Sequence, residues 1–172
     1  MNFERKVAVI TGSSAGIGAE AAKKITSLGG RVTINYSKSK ETAEEVAHEC
    51  SRLGETPLII KADIASDEGC KHIIDTSFNE FKGINILINN AGRTKFADHS
   101  NLDALRRDDF ENILALNLNS NYELIKHARP HLAKNKKSSI VNISSVAGLR
   151  GLGSSVAYAA SKGALNSMTL AL

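Results

Sequence analysis

Two hydrophobic periods alternate along the chain. Five short apolar, β-branched runs read as strands: residues 6–11 (KVAVIT), 31–36 (RVTINY), 57–62 (PLIIKA), 84–89 (INILIN) and 139–143 (SIVNI). Their nearly continuous hydrophobicity is what strands of a parallel sheet need when both faces are covered. Helical patterns lie between them. Residues 18–28 form an alanine-rich helix closed by Gly29-Gly30, and residues 40–53 have one polar and one apolar face and stop at Gly54. Ser66 caps a helix running to about Phe81, with Asp67 and Glu68 in the first turn, where the helix dipole favours acids. Asp108 or Asp109 opens a long helical stretch toward Ala133, with Pro130 near its end, and a last helix begins near Ser155 or Val156. Strands and helices in alternation imply right-handed crossovers and a parallel α/β sheet with helices on both faces.

Composition narrows the classes. A chain of 172 residues, 42% hydrophobic and 23% charged, suits one globular domain and excludes a disordered chain. A net charge of +4, without tryptophan or a dense basic block, gives no footprint for a nucleic-acid partner. The apolar runs are too short to span a bilayer, and Met1-Asn2-Phe3-Glu4-Arg5-Lys6 lacks a signal-peptide core, so no membrane partner is expected. Two cysteines, Cys50 and Cys70, make no disulfide framework, and a reducing cytoplasmic setting is the expectation. Residues 159–172 are strongly helical and end Leu170-Ala171-Leu172 without a cap, which reads as the N-terminal part of a longer protein.

Two segments carry chemistry. Thr11-Gly12-Ser13-Ser14-Ala15-Gly16-Ile17-Gly18 joins the first strand to the first helix. Glycine at 12 permits a tight turn, at 16 a close backbone approach to a pyrophosphate, and at 18 close packing of the helix. The free N–H groups of the helix start then attract phosphate. The turn by itself also fits an ordinary strand-to-helix connection, and no Lys-Ser/Thr pair follows it as ATP-binding loops require. In the second segment, Tyr158-Ala159-Ala160-Ser161-Lys162 sets a phenol and an ammonium four residues apart, on one face of a helix. A fixed cation stabilises a phenolate, which suits the phenol to proton exchange with a carbonyl or alcohol oxygen. The pair also fits an ordinary surface contact.

The order of the motifs is more specific than any one of them. Thr11 to Gly18, Asn89-Asn90-Ala91-Gly92, Asn117, Ser144-Ser145 and Tyr158-x-x-x-Lys162 follow one another along one α/β pattern, and the chain resembles the short-chain dehydrogenase/reductase family over nearly all its length. Family members similar at Met1-Asn2-Phe3 include bacterial 3-oxoacyl-carrier-protein reductases. The resemblance implies a doubly wound parallel sheet of Rossmann type, with residues 1–172 as a dinucleotide-binding domain. It implies hydride transfer between a nicotinamide and a carbonyl or secondary alcohol. It casts Tyr158 as the acid/base and Lys162 as its electrostatic partner and ribose ligand. Ser145 becomes the serine that bonds the substrate oxygen, with Ser144 the alternative, and Asn117 the support of a proton relay. Gly12, Ser14, Gly16, Ile17 and Gly18 are cast as the dinucleotide loop, Asp63 and Ile64 as the adenine contacts, and Asn90, Ala91 and Gly92 as the segment bordering the cofactor. Family members continue past the last helix with further strands and a substrate-covering segment. The resemblance also implies a homodimer or homotetramer through the helices of Asn117 and Tyr158.

The second strand ends Ile34-Asn35-Tyr36-Ser37-Lys38-Ser39-Lys40, with no acid before Glu41. NAD enzymes place a carboxylate there for the ribose, and a carboxylate would repel a 2′-phosphate. Ser37 and Lys38 instead suit that phosphate, so NADP is expected, with NAD kept as the alternative; Ala15, where NADP-dependent relatives carry a base, argues the other way. His127 and His131 are four apart, but no third ligand is evident and no metal is expected. Lys134, Lys136 and Lys137 read as a solvated helix end, with docking of an acidic carrier of the carbonyl substrate as the alternative. A dinucleotide-binding module and a helix-mediated interaction protein, both without turnover, stay open as other classes, and absence of turnover is the expectation for residues 1–172 taken alone.

Overall fold

The computed structural model describes residues 3–172, so the Met1-Asn2 part of the family resemblance lies outside the described residues. Five strands, β1 (Val7–Ile10), β2 (Arg31–Tyr36), β3 (Leu58–Lys61), β4 (Ile86–Asn89) and β5 (Ser139–Asn142), pair in parallel in the order β3-β2-β1-β4-β5. The order reverses at β1. The chain builds outward through β2 and β3, then returns to add β4 and β5 on the other side. An open parallel sheet splits its loops apart at such a reversal and leaves a crevice beyond the carboxyl ends of its strands. Here the crevice opens between the loops after β1 and β4.

The alternation of side chains along β1 divides the core. Ala8 and Ile10 join a cluster with Ala19, Ala22 and Ile25 of α1 (Gly16–Ser27) and Ala43, Val46 and Cys50 of α2 (Lys40–Ser51). Val9 and Leu87 face the opposite way, onto Ile73 and Ile74 of α3 (Asp67–Phe81) and Leu124 and Ala128 of α5 (Ser120–Leu132). The sheet is therefore doubly wound, as the sequence pattern implies. Ser66 caps α3 by accepting from the Gly69 N–H at 3.0 Å. Among the described residues no helix is long and apolar enough to cross a membrane.

The structure differs from the sequence pattern in four places. Helix α1 starts at Gly16 rather than Gly18, because the glycine turn closes sooner. The long helix expected from Asp108 or Asp109 begins at Arg107 and changes winding: α4 (Arg107–Leu114) passes into a π-helical turn, Ala115–Asn119, and then into α5. Side chains stabilise the wider turn, Ser120 Oγ donating to the Leu116 carbonyl at 2.5 Å and Asn121 Nδ2 to the Asn117 carbonyl at 3.0 Å. Strand β5 is not buried on both faces, since Ile140 and Val141 are each 42% exposed at the sheet edge. A short helix unforeseen in the sequence, α6 (Ala147–Arg150), precedes α7 (Val156–Ala171), whose N-cap Ser155 accepts from the Tyr158 N–H at 3.3 Å.

Candidate active site

The turn after β1 is built by side chains that reach it from neighbouring strands. Gly12 sits at φ +59°, and a Cβ there would lie 2.9 Å from the Ala91 backbone. Asn35 holds the turn from β2: its Oδ1 accepts from the Gly12 N–H at 3.1 Å, and its Nδ2 donates to the Ala62 carbonyl at 3.1 Å. Ser13 Oγ donates to the Ile10 carbonyl and accepts from the Asn35 N–H. From β4, Asn90 Nδ2 donates to the Thr11 and Gly12 carbonyls, while Thr11 Oγ1 accepts from the Asn90 and Ala91 N–H groups. Gly18 lies beneath this contact, and a Cβ on it would stand 2.5 Å from Asn90 Nδ2 and 2.9 Å from the Gly12 carbonyl. A Cβ on Gly16, at φ +57°, would meet nothing within 4 Å. One glycine thus closes the turn, one lets the helix seat, and one leaves open space over the first turn of α1. That arrangement fits a pyrophosphate.

Two adjoining cavities occupy the crevice. The first, about 360 Å³, is lined by Gly12, Ser14, Ser37 and Lys38 on one side and by Asp63, Ile64, Asn90, Ala91 and Gly92 on the other. Asp63 Oδ1 accepts from the Ala65 N–H at 3.1 Å, which fixes the carboxylate at the rim. The second cavity, about 490 Å³, is lined by Ile17, Ser144, Tyr158 and Lys162, and shares Asn90, Gly92 and Arg93 with the first. The expected cofactor residues therefore converge on one continuous cleft, except Gly16 and Gly18, which form the turn beside it.

Lys162 is 4% exposed, and burial holds its ammonium below the ordinary lysine value. Its Nζ donates to the Ile143 carbonyl at 2.6 Å and stands 5.8 Å from the centre of the Tyr158 ring. Ser144 lines the cavity and donates to the Lys162 carbonyl at 3.3 Å. Ser145 lies one residue on, outside that lining, and its Oγ accepts from the Ala147 N–H at 3.1 Å, so its hydroxyl proton has no acceptor among the described residues. Asn117, in the π turn, is bonded through both ends of its amide. Its Oδ1 accepts from the Arg93 N–H at 2.8 Å, and its Nδ2 donates to the Arg93 carbonyl at 2.9 Å and to Ser161 Oγ at 3.0 Å. The side chain cast as the support of a proton relay also braces the β4 loop against α7.

Asn35, Ser13 and Arg93 also belong to the site, with no motif in the sequence to mark their roles. A polar residue inside an otherwise apolar strand, as Asn35 is in RVTINY, was the available signal. The two histidines separate: His131 stacks on Phe78 at 4.0 Å, while His127 Nε2 is 2.8 Å from Asp67 Oδ1. Glu123 joins Asp67 and His127, their ligand atoms all within 4.8 Å of one another. This third member is not evident from the sequence. Lys126 pairs with both acids, so the group lies within a wider ion network.

Residues 6–172 match the short chain dehydrogenase family. A Streptomyces violaceoruber protein assigned to granaticin polyketide synthase as a ketoacyl reductase is 36% identical over 166 residues, 96% of this chain and 65% of that protein. The 3-oxoacyl-[acyl-carrier-protein] reductase FabG of Staphylococcus aureus is 30% identical over 164 residues, 95% of this chain and 65% of the relative. Among solved structures, a Burkholderia cenocepacia short chain dehydrogenase in complex with NADP matches with a TM-score of 0.92 at 33% identity, covering 99% of this chain and 68% of that one. NAD+-bound xylitol dehydrogenase matches with a TM-score of 0.90 at 25% identity, covering 98% of this chain and 64% of that one. The chain spans 62% to 66% of the length of these and similar curated relatives.

Proposed function

The chain belongs to the short chain dehydrogenase family, and on that premise we propose that it binds NADP(H) and exchanges hydride between the nicotinamide and a carbonyl or secondary alcohol. The observation that carries this is the single cleft joining the glycine turn and Asp63 to Tyr158 and Lys162. When bound, the reduced nicotinamide supplies the hydride. The chain's residues do the rest. Tyr158 gives a proton to the substrate oxygen as the carbonyl carbon gains the hydride, and takes it back in the oxidative direction. The nearby Lys162 ammonium stabilises the negative charge left on the phenol oxygen. Ser145, with its hydroxyl proton uncommitted, donates a hydrogen bond to the same substrate oxygen. Asn117 holds Arg93 and Ser161 in register around them.

The preference for NADP rests on Ser37 and Lys38 at the rim of the first cavity, where Lys38 has no ion pair among the described residues. The relatives named as ketoacyl and 3-oxoacyl reductases favour a 3-oxoacyl thioester as substrate, free or carried. The family resemblance also favours a homo-oligomer joined through the helices of Asn117 and Tyr158, near which Tyr122 and Met168 border a shallow groove.

The test is Tyr158→Phe. The ring keeps its packing and the proton donor disappears, so turnover with a 3-oxoacyl thioester falls by ~10²–10⁴ while NADPH affinity is unchanged. A variant that keeps most of its turnover refutes the assigned chemistry.

A further inference from the structure

The joint between the two cavities carries one charged side chain. Both are lined by Asn90, Gly92 and Arg93. Asn90 is spent on the Thr11 and Gly12 carbonyls, and Gly92 has no side chain. Arg93 is exposed, and among the described residues its guanidinium has neither an ion pair nor a side-chain hydrogen bond. Its backbone is the opposite of free. The Asn117 amide grips both the N–H and the carbonyl of Arg93, at 2.8 and 2.9 Å, and Asn117 is itself buried and tied to Ser161. A two-point clamp of this kind fixes the direction in which a side chain leaves the loop. The neighbouring base, Lys95, is by contrast paired with Asp109 at 2.6 Å.

We infer that Arg93 is a ligand of the dinucleotide's pyrophosphate. The inference rests on the dinucleotide reading above and extends it to a residue outside the glycine turn. A dinucleotide whose adenosine fills the first cavity and whose nicotinamide riboside fills the second must carry its pyrophosphate across their shared wall. That is the most anionic part of the molecule, and a planar guanidinium can bond two of its oxygens at once. The turn at Gly16 and the start of α1 approach the same phosphates from the strand side with backbone N–H groups. Arg93 closes on them from the β4 side. A clamped backbone lowers the ordering cost of that contact.

The test is binding rather than turnover, with Arg93→Gln, which leaves the backbone clamp intact and is expected to melt at the wild-type temperature. Affinities for NADPH and NADH are read by nucleotide fluorescence, and those for ADP-ribose and 2′-AMP by competition against NADPH. Arg93→Gln weakens NADPH, NADH and ADP-ribose alike, by about tenfold, as loss of a charged hydrogen bond does, and leaves 2′-AMP unchanged. A loss confined to NADPH and 2′-AMP would show that Arg93 reads the 2′-phosphate and overturn the assignment. Unchanged affinity for all four, with or without a raised KM for an anionic carbonyl substrate, overturns it while the dinucleotide reading stands. Wild-type protein that binds none of them overturns both.

Discussion

Lys162 shows how one residue can serve a site at a cost to the fold. A buried ammonium with a single carbonyl acceptor loses most of its hydration and recovers little of it. Replacing it with an apolar chain of similar length removes that penalty. Lys162→Met is therefore expected to stabilise the unliganded protein, by about 1 kcal/mol, while turnover is lost. The sign follows from the lowered folded-state value. The charged form is disfavoured by folding, so wild type loses stability at pH below that value and regains it as pH rises toward the ordinary 10.5. The advantage of Lys162→Met should shrink over the same rise. Urea denaturation at pH 7 and at pH 10 checks this, and a variant less stable than wild type at pH 7 contradicts it. That Tyr158 and Lys162 are neighbours was legible in the sequence because four-residue spacing on a helix brings side chains together, while their roles rested on the family resemblance. Arg93 was not, since its relevance comes from Asn117, which is 24 residues away and in contact only once the chain has folded.

At the scale of elements, the turn between β1 and α1 and the π turn between α4 and α5 do the positioning. Gly18 sits against the backbone of the turn, with the Gly12 carbonyl and Ser13 Cα both 2.9 Å from where a Cβ would be and Asn90 Nδ2 at 2.5 Å. Backbone cannot move aside as a flexible side chain can. Gly18→Ala is expected to cost about 1–3 kcal/mol of stability and to shift Asn90, weakening NADPH binding beyond what the stability loss explains. Isothermal titration beside thermal unfolding separates the two effects, and unchanged affinity would show that the turn does not shape the phosphate site. The glycine turn could be read from the sequence because glycine spacing reports backbone conformation directly. The π turn could not. Residues 107–132 keep a helical pattern throughout, and the change of winding depends on Ser120 and Asn121 donating to carbonyls four residues back, a choice that helical propensity does not encode.

Across the whole molecule, the strand order places the loops after β1 and β4 side by side, and with them residues as distant as Lys38 and Lys162. The order was legible as a class, because alternating strands and helices leave few handed topologies to choose from. The exposure of Ile140 and Val141 was not, because their sequence has the same apolar character as the buried strands. We propose this crevice as a nicotinamide dinucleotide site with a preference for the 2′-phosphate. Titration of the chain with NADPH and with NADH, read by nucleotide fluorescence, tests it most directly. Saturable binding of both is expected, tighter for NADPH, with the difference narrowed by Lys38→Ala. A folded chain that shows no saturable change with either nucleotide contradicts the claim, and tighter binding of NADH, unaffected by Lys38→Ala, contradicts the preference.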